Sequence, residues 1–178
     1  GQGEPMLNFR NVVEALRICN DRDLLGIGAR KITVSTCGII PGIEEFSKLE
    51  EQFTLAVSLH SAIQHTRNII MPGVKEYPLV DLKKTLSSYI EQTNRRVTFE
   101  YALMKGVNDS DEHLKALASY CGGLLCYINL IPLNEIPGSP YHPVPKEKLT
   151  FWQETLLSKG IETSTRNSRG SDIAGACG

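Results

Sequence analysis

The sequence predicts an α/β domain built on parallel strands, and three observations lead there. Apolar runs rich in β-branched residues alternate about four times with stretches of helical periodicity. Such alternation implies parallel strands joined by right-handed crossovers. Runs such as residues 53–59 read as apolar on both faces, as expected where helices cover a sheet. No short-period repeat or low-complexity linker interrupts the pattern, so the 178 residues read as one domain. Pattern alone leaves two architectures open, a doubly wound sheet and a barrel.

The elements follow in order. Residues 8–19 place Val12, Ala15, Leu16 and Cys19 on one helical stripe. A first strand is expected over 31–35. Gly38, Pro41 and Gly42 then break the chain before a short helix over 43–49. The second strand spans 53–59. Pro78 suits the start of a helix over 79–92, with Leu82, Leu86, Tyr89 and Ile90 inward. The third strand covers 96–103. Ser110 can cap a helix that runs to Tyr120. The fourth strand covers 124–131. Pro145 opens a helix to Ser158 with Leu149, Trp152 and Leu156 inward, and Gly160 ends it. A weaker strand is expected over 161–166.

Composition bounds the class. The chain is 41% hydrophobic and 22% charged, which is the make-up of a folded domain and not of a disordered one. No apolar run approaches the roughly 20 residues that span a bilayer, and the start carries no signal-peptide pattern. It also lacks Met, so Gly1 reads as an internal position of a longer protein. The net charge of −1 neither supports nor excludes nucleic-acid binding through a local basic patch. Five cysteines, at 19, 37, 121, 126 and 177, form no CxxC pair and no disulfide ladder. They read as free thiols of a cytoplasmic protein.

In parallel α/β folds ligands bind at the carboxyl ends of the strands. There the sequence places Ser35-Thr36-Cys37-Gly38, Ser58-Leu59-His60-Ser61, Glu100 within the third strand, and Asn129 and Asn134 in and after the fourth. Gly1-Gln2-Gly3-Glu4-Pro5 precedes the first helix. Hydroxyls, amides, an imidazole and a carboxylate suit a ribose, an amino acid or a nucleobase edge better than a phosphate ester. Each has a plainer reading. Ser35 and Ser58 could cap the following helices. His60 could be a hydrogen-bonded structural histidine, and Glu100 could be paired with an arginine. His65, His113 and His142 read as exposed, and Cys19 and Cys126 as core. No two histidines have metal-ligand spacing. Cys177 sits among small residues in RGSDIAGACG (169–178), where a loop can approach a ligand closely.

The pieces GQGEP (1–5), NVVEALRI (11–18), ITVST (32–36), LAVSLHS (55–61), RVTFEYALMKGVNDS (96–110), INLIPLN (128–134) and RGSDIAGACG (169–178) occur together in this order. In them the chain resembles the Cfr/RlmN family of radical S-adenosylmethionine (SAM) enzymes, on the RlmN-type side, which are dual-specificity ribosomal and transfer RNA adenine-C2 methyltransferases. The resemblance implies a partial (β/α)6 radical SAM barrel, TIM-like and truncated at its N-terminus. Residues 1–178 would form the core domain without its first strand and cluster loop, including a methyl-carrier tail at about 166–178.

SAM would be held by Gly3 and Glu4, the latter's carboxylate taking the ammonium group. Ser35 and the Ser58-Leu59-His60 segment would hold the ribose and carboxylate region, and Asn134 the adenosine end. Cys177 would be the catalytic residue: its thiolate accepts a methyl group from one SAM. A second SAM, split at a [4Fe-4S] cluster, would yield the radical that activates that methyl for transfer to C2 of an adenine in 23S rRNA or tRNA. An electron donor such as flavodoxin or ferredoxin is implied, and no membrane. The family's CxxxCxxC cluster motif is absent from these residues, so the cluster ligands are expected upstream of Gly1. Ala174 and Gly175 stand where the family usually shows Asp and Ala, and Glu135 replaces a common Pro.

The rival readings are a Cfr-like enzyme acting at adenine C8, a radical SAM enzyme with a small-molecule substrate, and a non-catalytic RNA-binding fragment. Pro5 and Pro132 favour the C2 branch over the C8 branch.

Overall fold

The computed structural model describes residues 3–135 and 138–166. Five strands, β1 Thr33–Thr36, β2 Thr54–Ser58, β3 Val97–Leu103, β4 Cys126–Pro132 and β5 Thr163–Thr165, form one sheet in the order 1-2-3-4-5. Every pair is parallel. The helices are α1 Phe9–Asn20, α2 Ile40–Ser47, α3 Gln64–Ile70, α4 Leu79–Thr93, α5 Asp111–Cys121 and α6 Lys146–Ser158. None is long and apolar enough to cross a membrane.

This strand order decides between the two architectures. A doubly wound sheet reverses direction midway and so needs helices on both faces. Here each crossover adds its strand on the same side of the last. Right-handed connections then stack the helices on one face, as in a barrel. The core follows. Leu55 and Val57 of β2, Val97, Phe99, Tyr101 and Leu103 of β3, and Ile128 and Leu130 of β4 alternate along their strands onto one face. They join Ile43 and Phe46 of α2, Leu82, Leu86 and Tyr89 of α4, Leu114 and Leu117 of α5, and Trp152 and Leu156 of α6 in a single cluster. Burying each large side chain of this kind stabilises by roughly 1.5–3 kcal/mol.

The opposite face overturns the expectation of strands apolar on both sides. In register across it lie Ser35 and Ala56, then Ser58, Glu100, Asn129 and Ser164, with Thr98 and Tyr127 one step behind. Tyr127 donates to Ser164 Oγ at 2.5 Å. Every second residue of β2, β3 and β4 therefore faces a surface that no helix among the described residues covers, and that surface is mostly polar.

Boundaries shift for identifiable reasons. α2 starts three residues earlier than expected because Pro41 is tolerated in a first helical turn. Gly42 then lies against the short 3-10 turn Pro5–Asn8, and a Cβ there would stand 2.4 Å from Met6 Cβ. The sequence reading missed α3. Its one buried side chain is Arg67, while its apolar Ile69 is 58% exposed, so no apolar stripe announces it. Cys126 is buried as expected, but Cys19 is only half-buried and stands outside the core.

Candidate functional site

The loops that leave the carboxyl ends of β1, β2 and β3 are tied to one another by polar contacts. After β1, the buried Thr36 turns its hydroxyl to accept the amides of Gly38 and Ile39, at 3.1 and 3.4 Å. These bonds hold the loop ahead of α2, whose N-terminus has no side-chain cap, so the plainer reading of Ser35 as a helix cap is not met and Ser35 is exposed on the sheet's polar face. Cys37 donates its amide to Glu4 Oε2 at 2.6 Å, and Glu4 Oε1 accepts from Met6 N at 3.0 Å. The Glu4 carboxylate is therefore engaged first with backbone, bracing the segment before α1 against the loop after β1. Gly3, Glu4 and Ser35 line one cleft of about 510 Å³ along the β1 edge, with Asn8, Val12 and Leu16 of the first helical segments.

The carbonyl of Cys37 accepts from Arg67 Nη2 at 2.7 Å. Arg67 is fully buried, and its Nε and Nη1 have no partner among the described residues. Burial lowers its pKa, with Tyr120 and Cys37 acting in the opposite direction. No carboxylate pairs with it among the described residues. The Cys37 thiol is pushed up, chiefly by burial and then by the nearby Glu4 carboxylate. It stays protonated and is a poor nucleophile.

After β2, Ser58 stands in register with Glu100. Leu59 is fully buried in the core, so its side chain is turned away from the uncovered face, and its amide bonds Glu100 O at 3.0 Å. His60 takes a left-handed conformation, φ 51°. Its Nδ1 accepts the Ala102 amide at 3.0 Å, so the plain reading of a hydrogen-bonded histidine is met at this nitrogen. Burial, with a smaller contribution from the Arg67 charge, lowers its pKa to about 4 and keeps the ring neutral.

Glu100 has no arginine partner among the described residues. Both its oxygens accept from Asn129 Nδ2, at 3.2 and 3.0 Å, across β3 and β4. Asn134 is half-buried two residues beyond β4. Cys177, the expected methyl carrier, lies outside the described residues. The structure thus brings Gly3, Glu4 and Ser35 to one cleft and sets Ser58 and His60 on the next strand end. His65 and His142 are exposed as expected. His113 is not: it is half-buried and meets Thr66 Oγ1 and Ser110 Oγ at 3.1 and 2.7 Å.

Three residues of this network escaped sequence reasoning. Thr36 gave no signal beside Ser35. Arg67 was hidden in an unrecognised helix. Asn108, fully buried, follows the third strand in a Val-Asn-Asp-Ser turn whose composition suggests only a loop.

A one-directional parallel sheet with helices on one face and a polar rim at its carboxyl ends is the architecture of a partial α/β barrel. A solved radical SAM methyltransferase from Sphaerobacter thermophilus matches it with a TM-score of 0.96 at 41% identity, covering 100% of this chain and 52% of that one. SuiB of Streptococcus suis, solved bound to S-adenosylmethionine, shares the fold at a TM-score of 0.66 and 13% identity, over 94% of this chain and 38% of its own. No protein-family model matches the chain. Among curated relatives, a probable dual-specificity RNA methyltransferase RlmN of Clostridium novyi is 48% identical over all 178 residues, which is 52% of its length. That of Clostridioides difficile is 45% identical over the same span and share. Along its whole length the chain is similar to these RlmN-named relatives and to the solved radical SAM methyltransferase, and it spans about half the length of the curated relatives it matches.

Proposed function

We propose that the protein containing this chain is a cytoplasmic radical SAM methyltransferase that places a methyl group on C2 of an adenine in 23S rRNA and in tRNA, with Cys177 as methyl carrier. The observation that carries this reading is identity near one half, along the whole chain, to relatives named as probable dual-specificity RNA methyltransferases. In it, residues 1–178 form the core domain, and 166–178 is the tail that brings Cys177 to the rim.

The donor set fits SAM. Ser35 and Ser58 offer hydroxyls, His60 a neutral imidazole, Asn134 an amide, and Gly3 and Glu4 the backbone of a braced loop beside Ser35. Ammonium, ribose hydroxyls and a carboxylate match such neutral and singly charged partners. Bound there, SAM supplies the methyl group. Leu59 can contribute only its backbone, since its side chain is in the core. The Glu4 carboxylate, already holding two amides, keeps further lone pairs for an ammonium group. The high pKa of the Cys37 thiol leaves it unsuited to compete with Cys177 for the methyl group.

The described residues do not fit an iron–sulfur cluster. No group of three or more His, Cys, Asp or Glu among them could hold a metal. Its ligands are assigned to the part of the relatives that this chain does not cover, together with the docking of an electron donor of the flavodoxin or ferredoxin kind.

The test is mass mapping of adenines in 23S rRNA and tRNA from cells carrying the intact gene or its Cys177→Ala version. C2-methyladenine present in the first and absent in the second supports the reading. Methylation at C8 instead, or undiminished methylation without Cys177, overturns it.

A further inference from the structure

His60 is an unusual place to end a strand. β2 stops at Ser58 while its neighbour β3 runs on to Leu103. The Ala102 amide, beyond the last backbone pairing, would be left without an acceptor. The His60 ring takes it through Nδ1 at 3.0 Å, standing where a further residue of β2 would have offered a carbonyl. This requires the backbone of His60 to turn left-handed, a conformation that a residue with a Cβ seldom adopts unaided.

What holds that turn is Asn108. Its Nδ2 donates to His60 O at 2.6 Å and to Ala102 O at 2.8 Å, and its Oδ1 accepts the Met104 amide at 2.7 Å. Its own carbonyl accepts from Tyr101 Oη at 3.1 Å. The side chain is fully buried, and both its amide hydrogens and its oxygen are bonded to the backbone of the two strand ends. A core asparagine that served only to fill space would be replaced at no loss by an apolar residue, but this one bridges two loops 48 residues apart in sequence. In a neutral ring whose Nδ1 accepts, the proton sits on Nε2.

We propose that Asn108 is a positioning residue: it clamps the end of β2 so that His60 presents a fixed Nε2–H donor at the carboxyl rim, aimed at an oxygen of a nucleoside-bearing ligand. The ligand half of this statement rests on the SAM site proposed above, and the clamp half does not. Asn108 touches neither ligand nor reacting atom. It acts by removing the rotational and backbone freedom that His60 would otherwise have to lose on binding.

The clamp is tested first in the unmodified intact protein. The ¹⁵N shifts of the His60 ring are expected to report the Nε2–H tautomer, and an Nδ1–H tautomer overturns the proposal outright. Asn108→Ser, which removes both amide donors, and Asn108→Asp, which keeps the acceptor for Met104, then separate clamp from fold. Each is compared with Leu117→Ala, a core cavity in α5. In both Asn108 variants the Ala102 amide is expected to lose hydrogen-exchange protection beyond the global change, and the His60 tautomer to become mixed. Binding of SAM, by equilibrium dialysis, is expected to weaken roughly tenfold, the loss of about one well-placed hydrogen bond. Adding His60→Ala to Asn108→Ser should weaken it no further than His60→Ala alone. Unchanged Ala102 protection and tautomer in either folded variant, or equal changes in Leu117→Ala, overturn the clamp. If the intact protein binds no SAM, the ligand reading fails while the tautomer and exchange data still decide the clamp.

Discussion

The two faces of the sheet obey different rules although they alternate residue by residue along the same strands. On the helix-covered face, Leu55, Val57, Phe99, Tyr101 and Leu130 are fully buried and share one cluster with four helices. On the other face, Ser58, Glu100, Asn129 and Ser164 lie in register and bond mainly across strands, as in the Asn129–Glu100 and Tyr127–Ser164 contacts. One face holds the protein together through buried apolar area. The other carries the polar groups that the proposed site would use, on strands whose opposite face is packed in the core.

The sharpest way to break this contrast is to remove the largest core side chain. Trp152→Ala, in a fully buried site against Tyr101, is expected to cost about 3–5 kcal/mol in urea denaturation. A loss below about 1 kcal/mol would mean that the covered face is not the stabilising one.

Next in size is a group at the edge between the faces. His60 has a folded-state pKa of about 4 against an ordinary 6.5, so between those values the unfolded chain binds more protons. Stability from this group is complete above pH 6.5 and is lost as pH falls towards 4. The full shift corresponds to at most about 3 kcal/mol, and partial solvent access reduces it. Denaturation midpoints near pH 7 and near pH 4, for the native protein and for His60→Gln, measure it as the pH dependence that the variant lacks.

A third expectation concerns α2, which seals one end of the covered face. Gly42→Ala would drive a methyl group into Met6, and should cost about 1–3 kcal/mol because the neighbour is packed between α2 and β1. The smallest effect on stability is expected on the uncovered face. Glu100→Gln keeps the shape and one acceptor for Asn129, and should change stability by less than about 1 kcal/mol. Its thermal melt and its SAM binding, measured together, would sharpen the division between a face that folds and a face that binds.

Much of the fold was legible in local pattern. The apolar runs marked five strands, Pro78, Ser110 and Pro145 marked three helix starts, and the strand-end rule brought Ser35, Ser58, His60 and Glu100 to one edge. The helix built around Arg67 was not legible, because its buried residue is charged while Ile69 faces solvent and Ile70 is only half-buried. Nor was the clamp at Asn108, since an asparagine in a turn sequence reads as a turn former whether or not it is buried.

What the sequence determined by itself was periodicity: which residues are strand, which are helix, and which chemistry reaches the strand ends, because these depend on spacing between neighbours along the chain. Only the tertiary structure decided that the crossovers all run one way, leaving one face of the sheet free of helices among the described residues. Only it decided that Glu4, Cys37 and Arg67, or His60, Ala102 and Asn108, meet. The Glu4–Cys37, Cys37–Arg67, His60–Ala102 and His60–Asn108 pairings join residues 30 or more apart, and no local pattern encodes which distant loop will supply the partner for a stranded amide or carbonyl.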